Sequence, residues 1–185
     1  RLLRGNRTTK QSAEEFNAFE SFNYPHLVDA GINITYHTER MLKPDWDKPM
    51  IPHFKLDNNV IIFSLFPGIR EDLVRHVIAT PNLKSIVMRT FGSGNAPQRP
   101  WVMHALKEAT HNGKVVINIS QCIQGAVEMG RYDTGYQLQE AGVISGYDST
   151  VENAVTKLMY LQSIFDDPET VRYYMRQSIR GEITV

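Results

Sequence analysis

A single cysteine, Cys122, stands in a chain of 185 residues, so no internal disulfide can form and the disulfide-stapled architecture of small secreted domains is excluded. Net charge is absent as well, because 20 Lys and Arg offset 20 Asp and Glu. Without a long-range positive field, neither nucleic acid nor an anionic membrane surface is a partner that this composition favours. No apolar run approaches the length of a membrane span or a signal-peptide core. Together these absences predict a protein of the reducing cytoplasm. The six histidines show neither H-x-H nor H-E-x-x-H spacing, which argues against a metal, and no cofactor fingerprint is complete. An initiator Met is missing too, so Arg1 reads as an internal or processed position.

What is present is ordinary globular material: 42% hydrophobic and 10% aromatic residues, enough to bury a core. From residue 58 onward, short β-branched runs alternate with amphipathic stretches, the pattern of βα units around a parallel sheet. Val60, Ile61, Ile62 and Phe63 are apolar without alternation, which predicts a strand covered on both faces and ended by Pro67-Gly68. A helix follows, with Leu73, Val74, Val77 and Ile78 at helical spacing and Glu71 and Asp72 in its first turn. "LKSIVMRTFG" predicts a second strand, "PWVMHALKEATHNG" a helix entered at Pro100 and left at Gly113, and "KVVINISQC" a third strand. Loops and a short helix are expected between Cys122 and "VISGYD". Ser149 and Glu152 then read as a capping box ahead of an apolar stripe of Val151, Val155, Leu158, Met159 and Leu161. Asp167-Pro168 opens a last helix, predicted to run to about residue 179.

Residues 40–55 carry three prolines and mixed charge, and read as a connection between compact units. Residues 1–39 are too short and irregular to bury a core unaided, since units below roughly 40 residues need staples or partners. With Phe16, Phe19, Phe22, Tyr24 and Ile32, that segment looks like the end of a larger domain, and residues 56–185 form the second unit.

Three stretches could carry chemistry. "RTFGSGNAPQRP" sets Gly92, Gly94 and Asn95 between a strand and the next helix, where open α/β sheets bind ligands. Pro97 occupies the third glycine position of a dinucleotide fingerprint, so a tight βα turn is the favoured reading. Cys122 lies just past a strand but lacks the glycine of a nucleophile elbow, which favours an inert, partly buried thiol. The opening "RLLRGNRTTK" puts Lys10 after two threonines with Arg4 and Arg7 nearby. Such a Lys is either a solvated surface cation or, if desolvated, a general base beside a hydroxyl nucleophile, and spacing leaves both open.

Taken together and in order, "LLRGNRTTK", "FNAFESFNYP", "RTFGSGNAPQ", "GKVVINISQC", "GAVEMGRYDTG", "AGVISGYDSTVENAVTKLMYL" and "RQSIRGEIT" closely resemble the bacterial type I, cytoplasmic L-asparaginases. The resemblance implies hydrolysis of L-asparagine to L-aspartate and ammonia without a cofactor. It also implies a flavodoxin-like carboxy-terminal domain over residues 56–185, the tail of a larger α/β domain over 1–39, and a linker at 40–55. Lys10 matches the Lys of the family's Thr-Asp-Lys catalytic group. By resemblance, Arg4 and the Gly5-Asn6 turn shape the exit that aims Lys10 into a cleft. Asn95 and, less closely, Tyr132 match groups reaching the substrate of a neighbouring subunit, which implies a homo-dimer or homo-tetramer. Thr9, Arg89 and Cys122 match the regulatory asparagine site of some members. The family's T-G-G-T nucleophile and T-D-T motifs occur nowhere in these residues, so the resemblance implies a nucleophile from a missing amino-terminal segment, and a chain inactive by itself. Two alternatives stand beside this reading. One is a non-catalytic small-carboxylate-binding or assembly domain; the other is an asparaginase-like subunit of a tRNA-dependent amidotransferase.

Overall fold

A computed structural model describes residues 1–130 and 133–185. Its centre is a parallel sheet of β5 (Val60–Ser64), β6 (Ser85–Thr90), β7 (Val115–Ser120) and β8 (Ile144–Ser145), hydrogen-bonded in that sequential order. Parallel neighbours require crossovers, supplied here by α1 (Glu71–Ile78), α2 (Pro100–His111) and α3 (Asp133–Glu140). The α/β class expected from the alternating runs is thus present.

Side-chain alternation along the central strands divides the core in two. Ile86, Met88 and Val116 face α1, α2 and α3, packing with Val74, Ile78, Val102, Leu106 and Leu138. Val87, Val115, Ile117 and Ile119 face the other way, against Ala154, Leu158 and Leu161 of α4 (Val151–Gln162) and Val171 and Met175 of α5 (Pro168–Met175). β6 and β7 are therefore covered on both faces, which is why their sequences run apolar without alternation.

β5 departs from expectation. It lies at the sheet's edge with only partial cover, and Ile62 is half exposed. An apolar run alone cannot distinguish a central strand from an edge strand. The caps differ as well: Thr150, not Ser149, is the N-cap of α4, its hydroxyl accepting from the Asn153 amide at 3.1 Å. Ser149 Oγ instead accepts from Asn153 Nδ2 at 2.6 Å. α5, capped by Asp167, stops at Met175 rather than near residue 179. The cause is long-range: Lys157 Nζ takes the Met175 and Gln177 carbonyls, drawing the chain off the helical path.

Residues 1–39 form two short antiparallel hairpins, β1 (Thr9–Lys10) with β2 (Phe19–Glu20) and β3 (Val28–Ala30) with β4 (Ile34–Tyr36). They lean on the carboxy-terminal tail. Arg4 donates to the Gly181 and Arg40 carbonyls and lies 4.1 Å over the Tyr24 ring, while Asn6 donates to the Arg180 carbonyl. The main fastening is Arg7, 2% exposed, which forms a two-point ion pair with Asp148 at 2.7 and 2.6 Å. Its remaining hydrogens reach the Asn23 and Glu182 carbonyls and Thr184 Oγ1. A second buried pair, Lys157–Glu182 at 2.6 Å, pins the same tail to α4. Among the described residues, no helix is long and apolar enough to cross a membrane.

Candidate functional site at the carboxyl edge of the sheet

The end of β6, the chain leaving β7 and the first turn of α4 converge at one corner, and Thr9 closes it from β1. The pocket they enclose has a volume of about 330 Å3. Arg89, the fifth residue of β6, brings a guanidinium whose Nε is buried without a hydrogen-bond partner among the described residues. On the same wall, Ser120 ends β7 and its Oγ donates to the Gly92 carbonyl at 2.6 Å while accepting from the Cys122 amide at 2.9 Å. Cys122 is an exposed thiol on the pocket wall, not the partly buried one expected. The strand has ended two residues earlier, and the irregular chain past it leaves the side chain uncovered.

Opposite lies Glu152, in the first turn of α4, with Oε1 accepting from Thr9 Oγ1 at 2.6 Å. The expected capping role is therefore replaced by a contact spanning 143 residues of sequence. Asn23 forms the floor: its amide exchanges both hydrogen bonds with the Gly125 peptide, at 3.1 and 2.8 Å, and reaches the Asp148 carbonyl at 3.2 Å.

The corner between β8 and α4 is tightly specified. Tyr147 adopts a left-handed backbone with φ 53°, a conformation that few non-glycine residues hold unless their surroundings impose it. Gly146 precedes it with no room for a side chain, since a Cβ there would lie 2.5 Å from Ile119 Cγ2. Asp148 follows. Burial pushes its carboxyl up, but hydrogen bonds from Arg7 and Thr184, with the Arg7 charge, outweigh that and hold it below the usual carboxylate range. Arg7 thereby fastens the amino-terminal segment directly beneath the pocket.

The structure thus brings Thr9, Arg89 and Cys122 onto one surface. Lys10, the next residue along β1, is exposed, and its ammonium makes no hydrogen bond or ion pair among the described residues. Asn95 sits at the far end of the loop beyond β6, where its backbone N–H and carbonyl both pair with Phe91 at 2.8 and 2.9 Å; it does not line this pocket. Tyr132 lies outside the described residues. Sequence reading missed Asn23 on the floor, Glu152 on the wall and the Arg7–Asp148 pair beneath them. Each is a long-range partner with no local pattern to announce it. No three His, Cys, Asp or Glu side chains among the described residues could hold a metal ion together.

A small pocket of mixed polar and apolar lining at the carboxyl edge of a parallel sheet, walled by the loops after two strands and a helix start, marks the class of α/β domains that take small ligands there. More narrowly, the chain belongs to the glutaminase/asparaginase C-terminal domain family, whose model matches residues 59–175. It is 44% identical to L-asparaginase 1 of Escherichia coli strain K12, over 100% of this chain and 54% of that protein. The 60 kDa lysophospholipase of Homo sapiens is 39% identical over 99% of this chain and 32% of that protein. Among solved structures, L-asparaginase I from Vibrio cholerae O1 biovar eltor str. N16961 superposes with a TM-score of 0.92 at 40% identity, covering 99% of this chain and 55% of that one. The chain thus spans about a third to a half of the relatives it matches.

Proposed function

We propose that this chain is the carboxy-terminal part of an enzyme that hydrolyses L-asparagine to L-aspartate and ammonia, using a Thr nucleophile supplied by polypeptide outside these residues. One observation carries the reading: the uninterrupted similarity of the whole chain to L-asparaginase 1. Residues 1–39 are then the end of a larger amino-terminal domain, 40–55 a linker and 56–185 the smaller domain. Lys10, exposed on β1, is the proton relay, completed by a carboxylate and a hydroxyl from the remainder of the protein. Asn95 reaches the substrate of a neighbouring subunit in a homo-oligomer that works in the cytoplasm, and Tyr132 is assigned with it.

The pocket of Thr9, Arg89 and Cys122 is a regulatory asparagine site in this reading. Its chemistry suits a free amino acid: the guanidinium of Arg89 and the amino end of α4 favour a carboxylate, and Glu152 opposite favours an ammonium.

Ammonia release by the complete protein tests the proposal. Lys10→Ala is expected to lower kcat on asparagine by about 10³-fold or more, and Arg89→Met to abolish any sigmoidal dependence on asparagine while leaving maximal turnover in place. Unchanged turnover in Lys10→Ala would favour a binding or assembly domain. Turnover that depends on tRNA and on a copurifying kinase-like subunit would favour the amidotransferase.

A further inference from the structure

β7 contains a buried amide that its fold does not require. Asn118 is fully buried between Ile117 and Ile119, 1% and 0% exposed, at a position where Val or Leu would pack without needing a partner. Its polar atoms are all directed at one end of the sheet. Oδ1 accepts from Thr90 Oγ1 at 2.6 Å, and Nδ2 donates to the Gly94 carbonyl at 3.0 Å. Thr90 is equally buried, so the pair forms a dry network in which each group fixes the orientation of the next.

That network ends on the loop that presents Asn95. Gly94 has φ 110°, and a Cβ placed on it would lie 2.7 Å from Val127 Cγ1 and 3.1 Å from Asn118 Nδ2, so the loop backbone rests directly on the amide. Two residues earlier, the Gly92 carbonyl is held by Ser120 Oγ at 2.6 Å. Phe91 and Asn95 close the loop through their paired backbone bonds. Side chains of β7 therefore grip two alternate carbonyls of a four-residue turn, leaving the backbone of Asn95 no freedom to swing.

We propose that Asn118 and Thr90 are positioning residues for the amide-hydrolysing site: their buried pair sets the height and tilt of the Gly92–Asn95 loop and so aims Asn95 at its substrate. This rests on the assignment of Asn95 given under the proposed function. Neither residue touches substrate.

A double-mutant cycle in the complete, oligomeric protein tests it, with kcat and KM for L-asparagine as the readout. Asn95→Ala is expected to lower kcat/KM about 10²-fold, and Asn118→Leu by about 10- to 10²-fold, the scale of a misplacement near 1 Å. The double variant should be no worse than Asn95→Ala, because Asn118 acts only through Asn95. Thr90→Val, which keeps the shape and removes the hydroxyl, should give a smaller loss that Thr90→Ser recovers; it also serves as the decisive variant if Asn118→Leu does not fold. Losses that multiply in the double variant, or a fall in melting temperature with kcat/KM unchanged, overturn the proposal. If Asn95→Ala itself has no effect, the proposal falls with the assignment of Asn95, while Lys10→Ala still decides separately whether the hydrolytic reading stands.

Discussion

Replacing Arg7 by Met removes the guanidinium and keeps most of the side-chain volume. Without it the Asp148 carboxylate loses both short contacts and keeps, among the described residues, the hydrogen bonds of Thr184, whose amide lies at 2.9 Å. The Asn23 and Glu182 carbonyls lose their donors in the same step. Breaking one side of a buried pair costs about 3–5 kcal/mol, most of it the burden of an uncompensated charge. Arg7→Met is therefore expected to lower the unfolding free energy at pH 7 by that amount, measured by urea titration of the complete protein at constant m-value. Arg7→Met combined with Asp148→Asn should recover about half, since the stranded charge is gone while the Thr184 contact persists. The pH dependence has a defined sign. In the wild-type chain Asp148 titrates below the ordinary carboxylate value of about 4, so its stabilisation is full above that value and is lost as pH falls through the folded one. The gap between wild type and Arg7→Met should thus be widest near neutrality and shrink toward pH 3. A loss below about 1 kcal/mol at pH 7, or a gap that does not change with pH, would refute the argument.

Two further outcomes follow from local geometry. Thr150→Ala should destabilise α4 by about 1 kcal/mol in thermal or urea unfolding, and Ser149→Ala by clearly less, because only Thr150 caps the backbone; equal losses would contradict the cap assignment. Gly146→Ala should cost about 1–3 kcal/mol or more, since its Cβ would meet Ile119 Cγ2 at 2.5 Å and the Asn118 carbonyl at 2.9 Å, and an unfolding midpoint unchanged from wild type would rule out that clash.

The elements readable from sequence were those whose causes are local. β6 and β7 announce themselves because burial on both faces removes alternation, and α2 because Pro100 opens it and Gly113, at φ 81°, lets the chain turn away. β5 has the same apolar signature but an edge position that no periodicity encodes. The cap of α4 shows the same limit at the scale of one residue: Ser149, Thr150 and Glu152 all fit capping chemistry, and the choice among them is made by Thr9, which engages Glu152 from the other end of the chain. For the pocket, the resemblance points to Thr9, Arg89 and Cys122, and the fold brings them together; Asn23 and Glu152 join them only through contacts distant in sequence. Arg7 is the clearest case. In sequence it is one cation among four in the opening ten residues, with nothing to set it apart, whereas in the structure it is the most deeply held charge of the segment.

The tail that Arg7 and Lys157 grip carries an implication for biosynthesis. Arg7 must find Glu182 and Thr184, 175 and 177 positions later, so the two hairpins cannot be fastened until the tail that holds them has been made. Phe16 and Ile32 stay solvent-facing even after that closure. The two hairpins thus wait with apolar side chains uncovered while the residues between them and that tail are made, a window in which holdase chaperones have their natural target.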